Sequence, residues 1–119
     1  MEKLNLDQKL SLFSDYWNPR IIGELNGQQV KLAKLKGEFI WHQHEHEDEL
    51  FYVIKGKLRM EFRDKSIDIL PGEIVIVPRG TEHKPVAEEE VHVMLFEPAS
   101  TLNTGNIESE RTRKILEQL

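Results

Sequence analysis

Trp41-His42-Gln43-His44-Glu45-His46-Glu47-Asp48-Glu49 is the stretch on which the reading of this chain turns. On a strand, side chains two apart point to the same side, with Cα atoms roughly 6–7 Å apart. A strand over Glu38–His44 therefore lets His42 and His44 converge on one ion. Glu45–Asp48 make a tight polar connection, and Glu49 opens the next strand with a carboxylate that can return to the same point. His83 follows Pro78-Arg79-Gly80-Thr81-Glu82 and comes from a third strand. Imidazoles with one carboxylate suit iron, manganese, nickel, cobalt or zinc. A set of His42, His44, Glu49 and His83 leaves positions open for water or substrate, as catalytic rather than structural sites do.

The remaining histidines carry less. His46 shares parity with His44 only if the strand runs on past it, and is a reserve ligand; otherwise it belongs with Glu45, Glu47 and Asp48 to a solvated rim. His92, in Val91–Phe96, reads as a core or surface residue. Parity with His42 and His44 turns Ile40 inward, and parity with Glu49 turns Phe51 and Val53 inward. Leu50, Tyr52 and Ile54 then form a second apolar face that needs cover. Glu38–His44 has no basic residue on its inward parity, and Arg59 and Arg63 read as solvated. This disfavours a carboxylate- or phosphate-bearing substrate, which usually calls for an arginine nearby.

Outward from this stretch, Ile21–Glu97 reads as strands and turns. Ile21–Leu25 and Gln28–Leu35 flank Asn26-Gly27, the favoured pair for a type I′ hairpin. Turn signals recur at Lys36-Gly37, Lys55-Gly56, Asp64-Lys65, Pro71-Gly72 and Arg79-Gly80. Between them lie Leu50–Ile54, Lys57–Arg63, Ser66–Leu70, Ile74–Val77, His83–Val86 and Val91–Phe96. Leu58, Met60 and Phe62 alternate with Arg59, Glu61 and Arg63, which gives one wet face. Ile74–Val77 is continuously apolar and should be covered on both faces. Many short strands at regular spacing make an all-β sandwich or barrel. Helical segments flank it: 5–16, with Leu6, Leu10 and Phe13 on one face, and 109–119, with Ser109 as cap and Ile115, Leu116 and Leu119 as the stripe.

The 119 residues suit one domain, with the barrel at about 21–97. No cysteine is present, which excludes disulfides, thiolate zinc sites and iron–sulfur clusters. A formal charge of −5 argues against a non-specific nucleic-acid binder. No apolar run approaches the ~20 residues of a membrane span. The opening MEKLNLDQKL has no apolar signal-peptide region, so the expected address is cytoplasmic.

The spacing of these residues resembles that of the cupin family. Its first motif runs here from Gly37 through His42, His44 and Glu49 to Gly56, one residue short between Gly37 and His42. Its second motif is met in register by Gly72, Pro78, Gly80 and His83, with Ala87 where the family has Asn. The pattern looks closest to small single-domain cupins often labelled mannose-6-phosphate isomerase-like. The resemblance implies a jelly-roll β-barrel with one divalent transition metal held inside by His42, His44, Glu49 and His83. It also implies a homodimer and a small-molecule ligand or substrate. Isomerase and dioxygenase chemistry both occur in the family. The alternatives are a non-catalytic module that binds or senses a metal or small molecule, and a barrel without metal.

Overall fold

Asn26 and Gly27 both adopt positive φ, 53° and 78°, and turn the chain between β1 (Arg20–Leu25) and β2 (Gln28–Glu38). This is the hairpin that the Asn-Gly pair predicts. In the computed structural model, which describes Met1–Leu119, five further strands follow: β3 (Glu49–Lys55), β4 (Leu58–Phe62), β5 (Ser66–Ile69), β6 (Ile74–Val77) and β7 (His83–Pro98). All pairings between these strands are antiparallel, in the order β1-β2-β7-β3-β6, with β4 joined to β5 and β7. The hydrogen-bonded path does not close on itself, but the strands wrap into a jelly roll around one core.

That core follows from alternation. Ala33 and Leu35 on β2, Phe51 and Val53 on β3, Leu58 and Met60 on β4, and Val91, Val93 and Leu95 on β7 are all buried together. Leu50, Tyr52 and Ile54 take the opposite face and are half-buried, as parity requires. Part of that outer face is covered by a second cluster. Leu10, Phe13, Ile22 and Leu32 are buried there, with Leu6, Ile54 and Leu119 packed against them.

Four sequence expectations are corrected. The first helix is α1 (Leu6–Leu10), far shorter than 5–16, although Asn5 caps it by accepting the Gln8 N–H at 3.0 Å. The chain beyond it is captured by β2: the Trp17 N–H and its Nε1–H donate to the carbonyls of Lys34 and Lys36. The helix over 109–119 is absent. The tail instead lies parallel to β1, with Ile21 N–H donating to the Glu117 carbonyl and Leu119 N–H to the Ile21 carbonyl, both at 2.9 Å. β1 is a sheet edge whose free backbone groups offer a partner, whereas an isolated helix of this length is marginal in water.

His83–Val86 and Val91–Phe96 are one strand, β7, and the Glu88-Glu89-Glu90 run between them is a solvated stretch of it. Ile74–Val77 is not covered on both faces: β6 pairs only with β3, and Ile74 and Ile76 are 56% and 57% exposed. No helix is long and apolar enough to cross a membrane.

Candidate metal centre

His42, His44, Glu49 and His83 are brought together, each buried, with one ligand atom from each lying within 4.8 Å of the others. Their backbones are cross-linked by hydrogen bonds. His42 N–H donates to the His83 carbonyl and His83 N–H to the His42 carbonyl, at 3.1 and 2.9 Å. The Gly80 N–H donates to the His44 carbonyl at 2.7 Å, and the Arg79 N–H to Asp48 Oδ1 at 2.9 Å. The turn that delivers His83 is thus latched to the loop between His44 and Glu49. His42 itself is not on a regular strand: β2 ends at Glu38, and only the His42–His83 bridge continues the pairing.

Two of the rings have a fixed orientation. His42 Nδ1 lies 2.9 Å from the Ile40 carbonyl and His83 Nδ1 lies 2.9 Å from the Thr81 carbonyl. Each carbonyl takes the Nδ1 proton and leaves Nε2 with its lone pair free. Burial, and next the charge of His83, lower the His42 pKa to about 4, so the ring is neutral at pH 7. Burial alone would raise Glu49, but His44 and His83 beside it hold the carboxyl well below its ordinary range. Their Nε2 atoms lie 3.3 and 3.4 Å from Glu49 Oε1 without hydrogen-bond alignment.

Both ring nitrogens of His44, Nε2 of His83 and Oε1 of Glu49 are buried with no hydrogen-bond partner. Buried orphans of this kind cost about 1–3 kcal/mol each. Here they share one small volume, and the donor set fits a divalent first-row ion. His46 lies outside the group, with an 85% exposed side chain. His92 faces Glu90 at 2.6 Å, away from the cluster.

The centre opens on a narrow cavity of about 40 Å³, walled by Phe51, Val93, Leu95 and Phe39 beside His42 and Glu49. Phe39 replaces Ile40 as the inward residue, because the irregular backbone after Glu38 breaks the parity that pointed to Ile40. Its ring stacks on Trp17, with centroids 4.8 Å apart, and meets His42 edge-on at 5.4 Å. Arg59 pairs with Glu61 and Glu88, and Arg63 lies over Trp41; neither enters the cavity.

Two charged residues on the cavity wall were not anticipated. Lys31 Nζ donates to Glu97 Oε1 at 2.7 Å, with side chains 2% and 3% exposed. A basic group therefore does face the interior, from β2 rather than from the segment before His44. Both sit on the inward parity of their strands, Lys31 with Ala33 and Leu35, and Glu97 with Val93 and Leu95. A charge in step with buried apolar neighbours is the signal that would have found them. Burial, and next the Glu49 charge, push the Glu97 carboxyl well above the usual range, against the pull of Lys31.

The comparisons agree with this architecture. A family model described as a cupin domain matches residues 28–97. A cupin-2 domain protein of Shewanella frigidimarina is 47% identical, with a TM-score of 0.79, over 80% of this chain and 93% of that one. A Neisseria meningitidis protein is 34% identical, with a TM-score of 0.76, over 82% of this chain and all (100%) of that one. The uncharacterized protein YdbB of Bacillus subtilis is 41% identical over 64 residues, 53% of this chain; the match spans 57% of that relative. The chain belongs to the cupin domain family.

Proposed function

We propose that this cupin holds one divalent transition metal through His42, His44, Glu49 and His83 and presents it to a small molecule in the cavity. The observation that carries the reading is the set of buried, unpartnered ligand atoms on His44, Glu49 and His83 within one 4.8 Å cluster. An ion held there would supply Lewis-acid polarisation of an oxygenated ligand, or activation of water or dioxygen, for chemistry of isomerase or dioxygenase type. The chain's own part is positional. The Ile40 and Thr81 carbonyls hold the His42 and His83 rings in one tautomer. Phe39, Phe51 and Leu95 keep bulk water from the ligand. A homodimer is part of the same reading, supported by the bare Ile74 and Ile76 of β6.

The test is elemental mass spectrometry on tag-free protein. Near-stoichiometric metal is expected in the wild type at pH 7. His42→Ala and His83→Ala should each lose it, and acidification should release it from the wild type, because an imidazole must be neutral to ligate. A wild type that takes up no iron(II), manganese, nickel, cobalt or zinc on reconstitution would sink the reading.

A further inference from the structure

Lys31, Glu97 and Glu49 form a row across the inner face of three neighbouring strands. Lys31 on β2 is diagonal to Glu97 on β7, whose register sets Gln29 opposite Glu97 and Lys31 opposite Leu95. Glu49 on β3 lies one step beyond the Leu50–Phe96 pair, which places it beside Glu97. The metal ligands stand at one end of this row and an ammonium at the other, with apolar side chains around both.

Stability does not account for the pair. A buried ion pair is often no more stabilising than apolar residues of similar volume. Nor is the pair complete. Lys31 Nζ makes one hydrogen bond, so two of its three N–H groups are unused. Glu97 Oε2 is buried and has no partner. Unused N–H groups and an unpartnered carboxyl oxygen thus sit side by side on the cavity wall.

A hydroxyl group fits both at once, because it accepts from Lys31 and can either donate to Glu97 Oε2 or accept from it. Resting on the metal reading above, we propose that Lys31 and Glu97 are the specificity pole of the cavity: they select a small hydroxylated carbonyl or carboxylate compound whose other oxygen lies at the metal centre. They act on the ligand and not on the ion.

The experiment uses cobalt(II)-loaded protein, titrated with propionate, lactate and 3-hydroxypropionate and followed by cobalt visible absorption. Lys31→Met and Glu97→Gln are measured beside the wild type. Breaking a buried pair from one side can unfold a small barrel, so the double variant Lys31→Met/Glu97→Leu is included. At least one hydroxylated acid should bind the wild type about tenfold more tightly than propionate, the scale of a hydrogen bond to a charged group. In the folded variants cobalt content should be unchanged and that preference should fall below about threefold. Lactate can chelate cobalt unaided, so only a preference that falls in the variants supports the proposal.

Equal binding of all three acids by the wild type, or a preference that survives in the double variant, overturns it. Loss of cobalt from the folded double variant also overturns it, by placing the pair within the metal centre. A wild type that takes up no cobalt fails at the earlier step, and the proposal falls together with the metal reading.

Discussion

The tail approaches the candidate metal centre so closely at Gly105 that one added carbon does not fit. Gly105 has φ of 56°, and a Cβ there would lie 2.1 Å from the Gln43 carbonyl oxygen and 3.2 Å from the His42 ring. Gln43 is bound in turn by the Asn106 N–H and donates its own N–H to Asn106 Oδ1, both at 2.9 Å. Gly105→Ala must therefore push back the residue between His42 and His44. It should cost well over the ~1 kcal/mol typical of alanine at a left-handed position. Gly27→Ala, also left-handed but in open space, is the matched control. Urea denaturation should separate the two, and metal content should fall only in Gly105→Ala. At this scale the four clustered residues were legible, because two spaced histidines, a carboxylate at a strand start and a histidine after a Pro-x-Gly turn leave a pattern in one dimension. Gly105, Lys31 and Glu97 were not. A close approach between distant backbones has no local signature, and Glu97 lies one residue beyond the apolar run Val91–Phe96.

Among the elements, β7 organises the most structure. Its first half pairs with β4 and the end of β2, and its second half lies between β2 and β3. It also ties down the segment after α1. Tyr16 donates its hydroxyl proton to Glu90 Oε1 at 2.7 Å, and His92 Nε2 lies 2.6 Å from Glu90 Oε2. These two partners, Tyr16 first, lower the Glu90 pKa from 4.5 to about 2. A depressed carboxyl stabilises the fold above its ordinary value and loses that contribution as pH falls through the lowered one. Glu90→Gln should thus lower Tm at pH 6, and the gap from wild type should shrink as pH falls from 4.5 toward 2. Thermal melts across that range check it. Strand positions were readable here wherever apolar and polar residues alternate, as in Leu58–Phe62. Two patterns read differently in one dimension: the solvated Glu88–Glu90 run lies inside a continuous strand, and the apolar stripe of Ile115, Leu116 and Leu119 forms no helix. That stripe has no buried face of its own: Ile115 is 91% exposed, whereas Leu119 joins the outer cluster through a strand-like pairing.

The molecule as a whole is covered unevenly. The outer face is sheltered by the segment around Leu10 and Phe13, while β6, at the other edge of the sheet, leaves Ile74 and Ile76 bare. A sequence pattern cannot separate a strand buried within its own chain from one that presents an apolar side outward, since both read as a continuous run. The expected outcome of sedimentation at micromolar concentration is two copies per particle. Ile74→Lys/Ile76→Lys should sediment as one copy and keep its metal, because neither residue lines the cavity. A wild type that sediments as one copy would leave β6 as a bare edge.

The paired amides of His42 and His83 also make the centre depend on two distant parts of the chain. Their pairing closes a long loop across the middle of the chain, from before β3 to the first residue of β7. Without β7 the chain offers only His42, His44 and Glu49, on a segment with no strand of its own to hold two of them. On the proposed metal reading, the full ligand set exists only where β7 has joined the segment before β3, so an occupied centre would report that this distant pairing has formed.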